Sequence, residues 1–104
     1  MKLKEGAILA GLNTKMRPVL IAAEHIWKDH GQELVVTSGL DGCHSAGSLH
    51  YYGLALDLRT RYFSKEKKAL VAAALNRSLS SAYDVVVHPT HIHVEYDLGL
   101  EMRR

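Results

Sequence analysis

Two spacings of apolar residues divide this chain into its elements. Across residues 14–30, Met16, Val19, Leu20, Ala23, Ile26 and Trp27 recur three or four positions apart, the spacing of one helix face. Pro18 is compatible with a first helical turn, and Gly31 follows as a C-terminal stop. Residues 34–37 are short and rich in β-branched side chains, which predicts a strand. Residues 54–59 alternate, with Leu54, Leu56 and Leu58 on one face and Ala55, Asp57 and Arg59 on the other. Ser64 is an N-cap for a second helix to about residue 78, with Leu70, Ala73, Ala74 and Leu75 as its apolar surface. Residues 83–87 predict a buried-type strand. Beyond Pro89 the alternation returns: Ile92, Val94 and Tyr96 point one way, and His91, His93 and Glu95 the other. The expected fold is α+β, one domain over 1–104, with a small, mostly antiparallel sheet and two main helices.

Two of the predicted strands thus set apolar residues toward a core and potential metal-binding residues on the opposite face. A sheet holds such groups at fixed separation, so the coincidence draws attention to the histidines. The chain has seven. His25 and His30 fall on the first helix and read as plain surface. His44 lies in the loop spanning 38–48, which carries Gly39, Gly42, Gly47 and three serines; a loop of that length in a compact domain is often functional. The remaining four gather at His50, seven positions before Asp57, and in the run His88-Pro89-Thr90-His91-Ile92-His93-Val94-Glu95. Two histidines and one carboxylate are the usual makings of a catalytic zinc site, with the fourth position left to water.

Bulk properties narrow the alternatives. A formal charge of +2 is too small to argue for nucleic acid as a partner. Basic residues gather only at Lys65, Lys67 and Lys68 and at Arg103-Arg104, and read as solvated surface with at most a mild attraction to anionic cell-wall polymers. Cys43 stands alone, so no internal disulfide is expected, as suits folding in a reducing cytosol. The N-terminal apolar run is broken by Gly6, Gly11 and Asn13 and is no signal peptide, and no stretch approaches transmembrane length. The expectation is a protein made in the cytoplasm that does not act in a membrane.

The pattern Ser48-x-His50-x-x-Gly53-x-Ala55-x-Asp57, followed by His91-x-His93, resembles the zinc peptidases of the lysostaphin, D-Ala-D-Ala and sonic hedgehog group. Within that group the nearest likeness is to the D-Ala-D-Ala carboxypeptidases and the phage L-alanyl-D-glutamate endopeptidases. The resemblance covers roughly residues 34–96. It implies a small α+β fold with an antiparallel sheet, one Zn²⁺ per chain, and hydrolysis of peptide bonds in peptidoglycan stems, cross-links or their precursors. It further implies His50, Asp57 and His93 as the zinc ligands, with Ser48 and Gly53 supporting the loop. Two neutral imidazoles and one carboxylate would leave a net +1 charge that favours hydroxide and a tetrahedral intermediate. A phage or prophage lysis protein, released through a membrane lesion or carried by a virion, fits this reading.

Two departures from the group bear on mechanism. Many members carry an acid three positions before the last histidine ligand; here that position is Thr90. The spacing His88-x-x-His91-x-His93 instead resembles the penicillin-insensitive murein endopeptidases, in which extra histidines stand beside the metal. That resemblance implies His91 as base or intermediate stabiliser, with His88 second; Glu95, on the His93 face, is a base or a supporting carboxylate. Relatives also place a substrate-binding arginine in the loop after the first strand, where this chain reads Ser38-Gly39-Leu40-Asp41-Gly42, leaving Arg59 or Arg61 as substitutes. The alternatives are a zinc-binding module of the same fold without catalysis, and a metal-dependent nuclease.

Overall fold

The computed structural model describes residues 1–40 and 53–97. Among them the chain forms β1 (Lys2–Leu3), a 3₁₀ turn (Thr14–Met16), α1 (Arg17–Asp29), β2 (Val35–Ser38), β3 (Ala55–Arg59), α2 (Lys65–Ser78), β4 (Tyr83–Val87) and β5 (His91–Tyr96). The five strands make one sheet in the order β1-β2-β3-β5-β4. Only β1 and β2 run parallel; the other three neighbouring pairs are antiparallel. The fold is therefore α+β, with a mostly antiparallel sheet and two helices. No helix among the described residues is long and apolar enough to cross a membrane.

Local chemistry accounts for the helix boundaries. The Asn13 side chain accepts from the Lys15 amide at 2.9 Å and opens the 3₁₀ turn, and Pro18 sits in the first turn of α1, where its missing N–H costs nothing. The helix ends where Gly31 takes φ +78, a conformation that a side chain disfavours. For α2 the Ser64 hydroxyl accepts from the Lys67 amide at 3.1 Å, with Glu66 in the first turn.

Both helices contribute to a core on one side of the sheet. From α1 come Val19, Ala23, Ile26 and Trp27; from the strands come Val36, Leu56, Leu58, Ile92 and Val94, all buried. Trp27 packs edge-on against Phe63 at 5.8 Å and donates its indole N–H to the Arg59 carbonyl at 3.0 Å. That bond pins the end of β3 to α1. The Thr60 amide then bonds the Thr90 carbonyl at 3.0 Å, tying the exit of β3 to the entry of β5.

Three expectations change. The inner face of α2 is Val71, Ala72 and Leu75, whereas Leu70 is 58% exposed and Ala73 is exposed too. Tyr83–Val87 is indeed a strand but lies at the sheet edge, with Asp84, Val86 and Val87 exposed, rather than in a buried position. His30 is half-buried, its ring edge-on to Phe63 at 6.2 Å, and not plain surface. β1 had no periodic signal at all: two residues are held on β2 by bonds from the Lys2 and Lys4 amides to the Leu34 and Val36 carbonyls.

Candidate metal centre

The antiparallel register of β3 and β5 sets Asp57 directly opposite His93, Arg59 opposite His91 and Ala55 opposite Glu95. Alternation puts the side chains of these six on the face away from the core. Across that face His93 Nδ1 lies 2.9 Å from Asp57 Oδ1, and His93 Nε2 lies 3.0 Å from Glu95 Oε1. The imidazole is thus held between two carboxylates. All three side chains are partly shielded, with 18 to 25% of each exposed. The hydrogen bond to Asp57 raises the His93 pKa above its ordinary 6.5, helped by the charges of Asp57 and Glu95 and opposed by partial burial.

His91 Nε2 stands 4.0 Å from the same Asp57 oxygen, while its Nδ1 is 3.3 Å from Thr90 Oγ1. The Thr90 hydroxyl therefore orients the ring. His88 stacks on His91 with ring centroids 4.7 Å apart and lies 6.5 Å from the His93 ring, edge-on. It reaches this position despite Pro89, because the His88 amide bonds the His91 carbonyl at 2.8 Å and closes a tight connection between β4 and β5. Lys68 Nζ donates to the Pro89 carbonyl and braces that connection from α2.

A cleft of about 400 Å³ opens beside this cluster, lined by Lys4, Thr37, Asp57, Arg59, Arg61 and His91 among others. Three of these are cations and one an acid, so the cleft is electropositive. Lys4 is the contributor that the sequence reading missed; the pairing of β1 with β2 brings it there. A different cavity of about 310 Å³, lined by Met1, Glu24, Lys28, Glu33 and Leu34, carries no comparable chemistry. Its carboxylates are occupied by the terminal amine at 3.0 and 3.7 Å and by Lys2 at 3.6 Å.

Five of the six residues singled out from sequence are thus brought together: Asp57, His93, His91, His88 and Glu95. The sixth, His50, lies outside the described residues, as do Cys43, His44 and Ser48. Among the described residues no group of three or more His, Cys, Asp or Glu side chains is arranged to hold a metal ion. What they do supply is one carboxylate oxygen and one imidazole nitrogen in contact, a donor pair suited to Zn²⁺. Glu95 at the far nitrogen of His93 stands where a carboxylate would fix the ring's orientation if His93 held a metal. The donors present fit the ion, with one ligand still to be supplied.

Gly53, a motif position, has a physical reason to be glycine. Its φ is +73, and a Cβ there would stand 2.8 Å from the Gly11 carbonyl oxygen. The Gly53 carbonyl accepts from the Asn13 amide at 3.0 Å, so the segment leading into α1 crosses directly over the entry to β3. No family model matches this chain, and no curated protein matches it closely enough to count as a relative.

Proposed function

We propose that this protein is a zinc-dependent peptidase that hydrolyses peptide bonds of bacterial peptidoglycan. The observation that carries the reading is the contact between Asp57 and His93, partly shielded at the mouth of an electropositive cleft. In this reading His50, Asp57 and His93 hold one Zn²⁺. When bound, the ion supplies a polarised carbonyl and a water acidic enough to ionise near neutral pH.

The protein's own groups take the remaining roles. Asp57 and His93 hold their donors at fixed separation because they are paired across a sheet rather than mounted on a loop. Glu95 accepts the proton that His93 keeps on Nε2, which fixes the ring's tautomer. His91, held by Thr90 with its Nε2 toward Asp57, is the general base. His88 stacks behind it. Arg59, Arg61 and Lys4 bind the carboxylates of the stem peptide. Thr90, standing where relatives have an acid, becomes a positioning residue for His91.

The test is mass spectrometry of fragments released from purified peptidoglycan, with and without chelator. The expected result is defined peptide fragments that vanish with chelator and return with zinc. Replacing His50, Asp57 or His93 should abolish both zinc retention and fragment release; His91→Ala should keep the zinc and lose turnover by about a hundredfold or more. Undiminished cleavage after metal removal would overturn the proposal.

A second reading is favoured by one observation: the position three before His93 holds Thr90, bonded to the His91 ring, where an acid would be needed to take a proton. Such a site would bind zinc without catalysis. It predicts stoichiometric zinc with no new amino termini released from the wall material. The nuclease alternative predicts cleavage of plasmid DNA with steep salt dependence.

A further inference from the structure

The backbone of β4 is half used. The Ala82 carbonyl accepts from the Asp97 amide at 2.7 Å, and the His88 amide donates to the His91 carbonyl at 2.8 Å. In an antiparallel ladder the residues between alternate, so Asp84 and Val86 turn their N–H and C=O groups toward β5. Val85 and Val87 turn theirs outward, where no further strand follows among the described residues. Among the described residues no bond from another element reaches either valine on that side.

Charged side chains, proline and bulges blunt exposed strands. Within β4 the only such protection is the charge of Asp84, the lysines and proline lying beyond its end. Tyr83–Val87 reads Tyr-Asp-Val-Val-Val and pairs with β5 in unbroken register. Val86 and Val87 are 37% and 48% exposed. Behind the end of the strand, Lys65, Lys68 and Ala69 of α2 line a depression with Val87, His88 and Pro89, and Ala73 lies exposed one turn further along.

We propose that the free edge of β4 is a self-association surface, on which β4 of a second copy pairs antiparallel about a two-fold axis at Val86. In that register Val85 of each copy faces Val87 of the other, and the outward groups of all four valines form hydrogen bonds. Val86 meets its own counterpart on the polar face of the sheet, covering the exposed apolar side chains. Asp84 falls opposite His88 of the second copy, so the one acid of the strand meets an imidazole and not another acid. Opposite like charges, which would oppose pairing, do not arise.

The arrangement has a functional geometry. Asp57, His93 and Val86 are successive partners across β3, β5 and β4. Pairing at Val86 therefore continues one straight row into the second copy, and strand addition about this axis keeps both polar faces on the same side. The two His93 positions come to lie about 15 Å apart, three strand spacings. Two copies of the site would face one extended polymer together.

One strand edge is a small contact, so the association should be weak, in the micromolar range. Sedimentation velocity across micromolar to millimolar concentrations should show a reversible shift from the 11.6 kDa of one chain to twice that mass. Val86→Lys sets like charges face to face at the axis, and Val87→Pro deletes an outward N–H that the single chain does not use. Both should stay monomeric while keeping the wild-type circular dichroism spectrum. In a Cys43→Ser background, Val86→Cys should cross-link to a covalent dimer under mild oxidation. A single-chain mass at every concentration would overturn the proposal. So would a dimer that survives both folded variants, or a dimer that Val86→Lys tightens, which would place the axis at Val85 with Asp84 opposite position 86.

Discussion

His93 keeps Asp57 at one ring nitrogen and Glu95 at the other, and both acids favour the protonated ring. In the unfolded chain that proton leaves near pH 6.5; in the folded, metal-free protein it stays to higher pH. The contribution of this histidine to stability is therefore complete below about pH 6.5 and is lost as pH climbs through the folded-state value. Melting of chelator-treated protein should show a transition temperature that falls across this window, and His93→Gln should flatten the fall. Zinc affinity should run the opposite way, because a metal-bound imidazole must first shed its proton. Competition titration against a chromophoric chelator would reveal affinity that grows with pH over the same window. Thr60 offers a simpler test: its hydroxyl is fully buried with no hydrogen-bond partner among the described residues. Thr60→Val keeps the shape and removes the desolvated oxygen, so urea denaturation should show about 1 kcal/mol of added stability.

Among the elements, those that bury one face under a single rule could be read from sequence. α1 has a clean 3.6-residue stripe with a proline at its start and a glycine at its end, and it forms where expected. β3 and β5 alternate, and their pairing delivers Asp57, His91, His93 and Glu95 to one face as that alternation implies. For α2 the legible part was its N-cap. Its apolar residues are crowded into the 69–75 run, which fits several helix faces, and only contact with α1 and β4 selects Val71, Ala72 and Leu75. The consequence is measurable: Leu75→Ala should cost about 2–5 kcal/mol, while Leu70→Gln should change stability by less than about 0.5 kcal/mol. Ser64→Ala should cost about 1 kcal/mol through its lost cap. β4 was misread because three successive valines signal burial, whereas an edge position depends on strand order, which local sequence does not encode. β1 is two residues long, too short for any periodicity. The same limit hid Lys4 from the site, since only the pairing of β1 with β2 brings the N-terminal segment to the cleft.

At the scale of the whole molecule a net charge of +2 conceals a strong asymmetry. Between positions 59 and 68 stand Arg59, Arg61, Lys65, Lys67 and Lys68 against the single acid Glu66. Of these, Arg59 at the end of β3 and Arg61 in the turn that follows line the cleft, where Lys4, just past β1, joins them. Glu24 and Glu33 lie at another cavity, occupied by the terminal amine and, for Glu33, Lys2. The field at the cleft thus favours an anionic ligand and steers its approach. If the cleft reads the carboxylates of a stem peptide, the Arg59→Gln/Arg61→Gln double variant should raise KM by roughly tenfold or more and leave kcat nearly unchanged. That is the signature of binding lost equally from ground and transition states. Amidating the peptide's free carboxylates should cost the wild-type protein the same factor and the double variant almost nothing. Added salt should weaken wild-type binding more than that of the variant. A KM that ignores both the substitutions and the amidation would remove these arginines from substrate recognition, while leaving the Asp57–His93 centre to be judged on its metal.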